Sequence, residues 1–217
     1  MLWLIPPGVY APQEDTELLA GALAEEPLPP GAKVLDVGTG SGALALRAAR
    51  LGARVTAVDV SWRAVWAARL NALRARLPLR IRHGNLFAPV RGQTFDVILA
   101  NPPYVPSPDT GGRPRGAARA WDAGQDGRLV LDRICREAPA LLRPGGVLLL
   151  VQSELSDPDL TLQRLRAAGL KAAVTRRRRI AFGPVLRGRE RWLRERGLLP
   201  AARNEEELVV VRAELPV

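Results

Sequence analysis

The sequence predicts an α/β protein built on a mostly parallel sheet with helices on both faces. Three observations carry that prediction. Short apolar runs alternate with segments of helical periodicity along the whole chain. A glycine-rich turn, "GTGSG" at Gly38–Gly42, follows the first run directly, and a proline stop, "NPPY" at Asn101–Tyr104, follows the fourth. At 217 residues and 47% hydrophobic content the chain has material for one sizeable core, so a single domain over 1–217 is expected.

Taken in order, "EDTELLAGALAEE" puts acids in a first turn ahead of apolar residues at helical spacing, which predicts a helix from Asp15 to Glu25 ended by "PLPPG". "AKVLDVG" (Ala32–Gly38) reads as a strand, and "ALALRAARLG" (Ala43–Gly52) as a helix with a glycine stop. "RVTAVDV" is the next strand, and "SWRAVWAARLNALRAR" is a helix with Ser61 at its N-cap. "LRIRHGNLF" and "FDVILANPPY" follow as strands, then a Gly/Pro-rich loop from Val105 to about Gly124 and a helix from about Asp126 to Leu142. After the stop "RPGG" come the strand "VLLLVQ", the helix "DPDLTLQRLRAAG" and the strand "LKAAVTRRRRIAF". A basic segment holding a short helix, "RGRERWLRERGLLP", leads to the last strand, "EELVVVRAEL".

Net charge is +10, carried by thirty arginines and two lysines against 22 acids. Between residues 160 and 217 the balance is +8, from thirteen arginines and one lysine against six acids. Such a surface favours an acidic partner such as RNA, a ribosomal particle or an acidic protein, although an arginine skew is also what codon bias produces. In "RRRR" (Arg176–Arg179), placed at a strand end, alternate side chains face opposite ways, so at least two should be solvated. Cys135 and His83 are the only residues of their kinds, which leaves no pair for an internal disulfide and no Cys/His zinc cluster. No metal is expected. The N-terminal stretch lacks both the n- and h-regions of a signal peptide and the ~20 apolar residues of a membrane span, so no membrane association and a cytoplasmic location are expected.

In an open α/β sheet a ligand sits beyond the carboxyl ends of the strands. Gly38, Gly40 and Gly42 let a ligand approach the backbone there, and Asp59, 21 residues after Gly38, can accept both hydroxyl protons of a ribose. "GTGSGA" alone also satisfies the dinucleotide fingerprint, so a nicotinamide or flavin enzyme stays open from this segment. Asp36, two residues before the first glycine, opposes a pyrophosphate and suits an ammonium, which favours an aminoacyl nucleoside.

"VLDVGTGSG", "AVDVS", "GNLF" and "NPPY", in this order, resemble the motifs of class I S-adenosylmethionine-dependent methyltransferases that act on amino nitrogens. More narrowly, "GVYAPQEDTELL" and "ARAWDAGQDGRLVLDR" (Ala118–Arg133) resemble the HemK-like release-factor glutamine methyltransferases, in the short branch without an N-terminal helical domain. The resemblance covers roughly residues 8–155. It implies a Rossmann-like fold with a seven-stranded, mostly parallel sheet and an antiparallel last strand. It also implies an N-terminal cofactor-covering segment (1–30) and a basic C-terminal part (160–217) within the one domain.

By that resemblance Thr16 touches the cofactor S-adenosyl-L-methionine, Asp36 and Gly38 hold its methionine part, Gly40 also binds the cofactor, Asp59 takes the ribose, and Asn85 and Leu86 flank the adenine. Family members usually have aspartate where this chain has Asn85, whose amide oxygen can still accept from an adenine amino group. The catalytic group would be Asn101, Pro102, Pro103 and Tyr104, with Asn101 facing both cofactor and substrate. An amide nitrogen is a poor nucleophile, and two acceptors aimed at its N–H bonds, the Asn101 side-chain oxygen and the Pro102 carbonyl, favour the form whose lone pair points at the methyl. Tyr104 offers a flat face to a planar amide. Transfer is then an in-line attack aided by alignment, with the proton lost to water.

"AWDAGQDGR" resembles the substrate loop of the family, so Trp121 to Arg128 would shape a pocket for a Gly-Gly-Gln loop, with Trp121 contacting substrate; the alternative is a loop plugged into the core by Trp121. The implied substrate is a peptide chain release factor, and a small zinc-binding activator subunit is a further implied partner, favoured by an exposed apolar edge near "RVTAVDV". The basic C-terminal part would meet RNA or the ribosome. The same chemistry serves adenine N6 and guanine N2 methylation of RNA or DNA, and a non-catalytic cofactor-sensing protein is the reading from another class. His83 is expected to be structural, Cys135 core, and Trp62 and Trp66 a packing stripe.

Overall fold

The computed structural model describes residues 4–108, 118, 120–200 and 203–217. The tip of the predicted Gly/Pro-rich loop and the first three residues of the leader lie outside them.

Among the described residues seven strands form one sheet in the order β3-β2-β1-β4-β5-β7-β6. They are β1 (Lys33–Val37), β2 (Arg54–Asp59), β3 (Leu79–His83), β4 (Phe95–Ala100), β5 (Leu142–Ser153), β6 (Lys171–Ala181) and β7 (Glu205–Glu214). β3, β2, β1, β4 and β5 pair in parallel, whereas β7 runs antiparallel to both β5 and β6. The helices are α1 (Glu14–Glu25), α2 (Ala43–Arg50), α3 (Trp62–Ala75), α4 (Leu131–Glu137), α5 (Pro158–Ala167) and α6 (Pro184–Glu195). The central strands are buried on both faces, as their apolar runs require: Val34, Leu35, Ile98, Leu99 and Leu148–Leu150 are fully enclosed.

The order reverses at β1. The chain passes outward to β2 and β3, then crosses back to β4 on the other side. The β1–β4 register sets Val37 opposite Ala100, so the residues that follow, Gly38 and Asn101, leave the sheet side by side at the switch point.

Several predicted boundaries shift for identifiable reasons. The helix expected from Asp126 starts at Leu131, because Gly124 and Gly127 have left-handed backbone (φ +82° and +72°) and Asp126 accepts a bond from the Arg128 N–H at 2.9 Å. Beyond Glu137 it tightens into a short turn at Ala138–Leu141, with Pro139 in its first positions. "RPGG" does not precede the strand but is the kinked start of β5, held by a 2.8 Å bond from the Gly145 N–H to the Leu215 carbonyl. Ser61 stands at the N-cap of α3, yet its side chain makes no capping bond; its N–H donates to Asp59 Oδ1 at 2.8 Å.

The arginine run lies inside β6, not at its end. Alternation sends Arg176 and Arg178 towards α1, where they pair with Glu25 and Glu14, and Arg177 and Arg179 to the other face, where both pair with Glu207. The latter two are 57% and 71% exposed. Trp62 and Trp66 do not form a packing stripe. α3 buries its small residues Ala64, Val65, Ala67, Ala68 and Ala72 against the sheet, which turns the tryptophans to solvent at 57% and 59% exposure. Leu70 and Leu73 continue that exposed face. "RVTAVDV" is an interior strand, and β3 is the edge on that side. His83 stacks on Trp62 with ring centroids 4.0 Å apart and donates to the Val60 carbonyl at 2.9 Å, while Cys135 is buried on α4.

No helix among the described residues is long and apolar enough to cross a membrane.

Candidate active site

The turn after β1 is held from beneath. The Gly38 and Thr39 N–H groups donate to the Val58 carbonyl at 2.9 and 3.0 Å, and the Gly40 N–H donates to Asp59 Oδ2 at 2.9 Å. Gly42 opens α2 with φ +86°, and a Cβ there would stand 3.2 Å from that of Ala68, so glycine sets both the turn and the close approach of α3.

Asp36 lies buried under the turn. Its Oδ2 accepts from the Thr39 hydroxyl at 2.5 Å and the Ala45 N–H at 3.1 Å; its Oδ1 is buried without a hydrogen-bond partner. Burial pushes its carboxyl up to about 6, against the two bonds that pull it down. A buried acceptor with no donor calls for one from a ligand. The ammonium of S-adenosylmethionine is such a donor, so the site fits the cofactor on this point. Asp59 ends β2, and its Oδ2 and Oδ1 bind the N–H groups of Gly40 and Ser61; burial raises its carboxyl as well. A carboxylate has about four acceptor positions, so capacity remains for ribose hydroxyls.

Asn85 and Leu86 follow β3. Asn85 Oδ1 accepts from Arg133 Nη1 at 3.0 Å, so one lone pair of the oxygen that would face an adenine amino group is already occupied. Leu86 has φ +48°, an uncommon backbone for a branched side chain, which fixes the direction of its N–H.

Asn101 leaves β4 beside the glycine turn: a Cβ on Gly38 would lie 3.9 Å from the Asn101 carbonyl oxygen. Its side-chain Nδ2 lies 3.4 Å from the Thr16 hydroxyl. Pro102 is buried, and the Tyr104 ring is almost fully enclosed, so little of its face is open. The Tyr104 hydroxyl donates to Asp15 Oδ2 at 3.1 Å, and burial pushes its phenol well up. Asp15, unnoticed in the sequence, also accepts from the Tyr10 hydroxyl at 2.8 Å and the Thr16 hydroxyl at 3.2 Å. The signal available was its place in "EDT", where it passes for a first-turn acid.

A second residue without a sequence signal, Asn71 of α3, is fully buried. Its side chain bonds both backbone groups of Leu4 and the Ser41 carbonyl, tying the N-terminal segment to the glycine turn. Tyr10 continues that contact, its carbonyl oxygen 3.7 Å from the Cβ position of Gly40.

Trp121 is half-buried, and its carbonyl accepts from the Val105 N–H at 2.9 Å, so the loop runs beside the exit of the Asn101–Tyr104 turn. Arg128 does not face a pocket: it is buried and bonded to Asp132 and the carbonyls of Ser156 and Asp157. Two surface clefts of about 340 and 360 Å³ lie elsewhere, the first lined by Pro6, Pro7, Arg63 and Trp66, the second by residues at the start of β7 with Glu154, Arg179 and Arg203. Neither contains the residues at the ends of β1 and β4.

Residues 4–112 match the family described as "Methyltransferase small domain". A protein of Methanocaldococcus jannaschii, provisionally named a protein N5-glutamine methyltransferase, is 35% identical over 83% of this chain and 90% of its own length. A release factor glutamine methyltransferase of Deinococcus radiodurans is 41% identical over 85% of this chain; the match spans 66% of that protein, just under two thirds. Among solved structures, the E. cuniculi Mtq2–Trm112 complex, described as responsible for methylating the termination factor eRF1, superposes with a TM-score of 0.67 at 25% identity, over 95% of this chain and 98% of that one. With the profile covering half of its length, and with the glycine turn, Asp36 and Asp59 arranged at the switch point of the sheet, the chain belongs to the methyltransferase small-domain family and is an S-adenosylmethionine-dependent methyltransferase.

Proposed function

We propose that this enzyme methylates the side-chain amide nitrogen of a glutamine in a peptide chain release factor, in the Gly-Gly-Gln loop. The observation that carries the reading is the placement of Asn101: rigidly held by two prolines, at the switch point, beside the glycine turn. The names of the relatives supply the substrate class. S-adenosylmethionine supplies an electrophilic methyl on a sulfonium sulfur. Asp36 and the backbone of Gly38 and Gly40 would hold its methionine part, Asp59 its ribose, and Asn85 and Leu86 its adenine; Thr16, set at the cofactor by the resemblance, has its hydroxyl 3.4 Å from Asn101 Nδ2 instead.

Asn101 Oδ1 and the Pro102 carbonyl accept the two N–H bonds of the substrate amide and turn its lone pair towards the methyl. Pro102 and Pro103 keep both acceptors still, so little reorganisation remains at the moment of transfer. Tyr104 closes one wall and Trp121 flanks the entrance. With the cofactor bound, the amide nitrogen would take the methyl as the donor's carbon–sulfur bond breaks, and the amide proton would pass to water. No strong base is needed, which fits a site where Asp15, the carboxylate bonded to Tyr104, is already engaged by three hydroxyls.

We infer one domain over 1–217, with 1–30 covering the cofactor and 160–217 as its basic part, acting in the cytoplasm. The stripe of Trp62, Trp66, Leu70 and Leu73, beside edge strand β3, supports a small partner subunit; if that subunit binds zinc, its own residues hold the ion. Arg177 and Arg179, paired yet largely exposed, are the proposed contact with RNA or the ribosome. Offering labelled S-adenosylmethionine with a release factor, ribosomal RNA and duplex DNA in parallel tests the substrate. Label in the release factor is expected; label only in nucleic acid would keep the chemistry and overturn the substrate.

A further inference from the structure

The hydrogen-bond polarity around Asn101 is set two residues away. A carboxylate only accepts, so Asp15 must receive every bond it makes. It receives the hydroxyls of Tyr10 and Tyr104 on Oδ2 and that of Thr16 on Oδ1. Thr16 has one hydroxyl proton, and Asp15 takes it. Towards Asn101, 3.4 Å away, Thr16 can then show only a lone pair, so the Asn101 atom facing it has to be the donor Nδ2. The amide oxygen is thereby turned to the opposite side, away from Thr16.

We propose that Asp15 and Thr16 are positioning residues that fix the polarity of the Asn101 amide, so that it presents an acceptor and not a donor to the substrate nitrogen. This rests on the proposed role of Asn101. With the amide reversed, its NH2 group would face the two N–H bonds of the substrate, donor against donor, and the lone pair would not be directed at the methyl. The same carboxylate holds Tyr104, so Asp15 anchors both ends of the four-residue turn: Asn101 through Thr16, and Tyr104 directly. Thr16 is accordingly assigned to Asn101 rather than to the cofactor.

Three readouts on the full chain test the relay: turnover of the release factor, the Kd for S-adenosylmethionine, and hydrogen exchange of the Asn101 side-chain NH2 followed by nitrogen-15 NMR. Thr16→Ser keeps the hydroxyl and should hold kcat within about 3-fold, whereas Thr16→Val keeps the shape and should lower kcat about 10- to 100-fold. The cofactor Kd should stay within about 2-fold in both, which also shows that the variants fold. The Asn101 NH2 should exchange slowly in wild type and Thr16→Ser, and faster in Thr16→Val. A Thr16→Val enzyme with unchanged kcat and unchanged exchange would overturn the relay, as would a weakened cofactor Kd with kcat intact at saturation. Should the wild type fail to methylate the release factor, the substrate reading falls, while the exchange comparison still decides the relay.

Discussion

Tyr104 and Asp15, 89 positions apart, meet at 3.1 Å in the buried layer beneath the Asn101 turn. The first turn of α1 is thus bolted to the exit of β4. Replacing Tyr104 by Phe removes one donor from a buried carboxylate and leaves the ring. A hydrogen bond to a charged group is worth about 1.5–3 kcal/mol, so denaturant unfolding should show a loss of that order, together with lowered kcat. Unchanged stability would mean that water replaces the phenol at Asp15.

Glu206, at the start of β7, is buried near Asp15, with one carboxyl oxygen lacking a partner. Burial pushes it up to about 7; Ser153 opposes the shift, and Asp15 and Glu154 add to it. The native state therefore holds a proton that the unfolded chain releases at lower pH. The stability this confers is complete below about 4.5 and is lost as pH rises through about 7. Glu206→Gln should stabilise the protein at pH 8 by about 1–3 kcal/mol and flatten its pH profile between those values. Equal wild-type and variant profiles from pH 4 to 8 would show that Glu206 stays solvated.

Asp36, raised to about 6 in the free protein, has to be ionised to hold an ammonium. Cofactor affinity should therefore fall as pH drops below about 6, approaching tenfold per unit, and calorimetry at pH 5, 6 and 8 reads it. Asp36→Asn should bind weakly at pH 8 and lose that pH dependence. A wild-type affinity constant between pH 5 and 8 would remove Asp36 from the methionine site.

Gly127 backs directly onto the Tyr104 carbonyl with φ +72°; a Cβ there would collide with that oxygen and press on Ser156. Gly127→Ala should destabilise by about 1–3 kcal/mol and reduce turnover by displacing the turn. Gly169→Ala is the control: at φ +88° it meets nothing within 4 Å, so it should show the backbone cost with turnover retained.

The parallel sheet and its switch point were legible because β1, β2 and β4 are short apolar runs bounded by Gly, Asp and Pro. These cues report burial and turn chemistry locally. The face of α3 was not legible. Its alanines and its tryptophans both recur at helical spacing, and only the sheet decides which set is covered; it took the small ones. Asp15 and Asn71 were missed for a related reason. Each acts through partners far along the chain, Tyr104 and Leu4, and no local pattern distinguishes a buried anchor from a solvated polar residue. The helix expected from Asp126 failed because left-handed glycines and the bond from the Arg128 N–H to Asp126 outweighed the apolar spacing that follows.

The central claim is that Asn101 directs a glutamine amide at the methyl group. It is tested most directly by transfer of labelled methyl to a release factor, comparing wild type with Asn101→Ala and an intact Gly-Gly-Gln glutamine with a substituted one. Transfer should fall by about 10²–10³ in Asn101→Ala, far more than cofactor binding weakens, and should vanish when the glutamine is replaced. Label that persists without that glutamine, or an Asn101→Ala enzyme as fast as wild type, would contradict it.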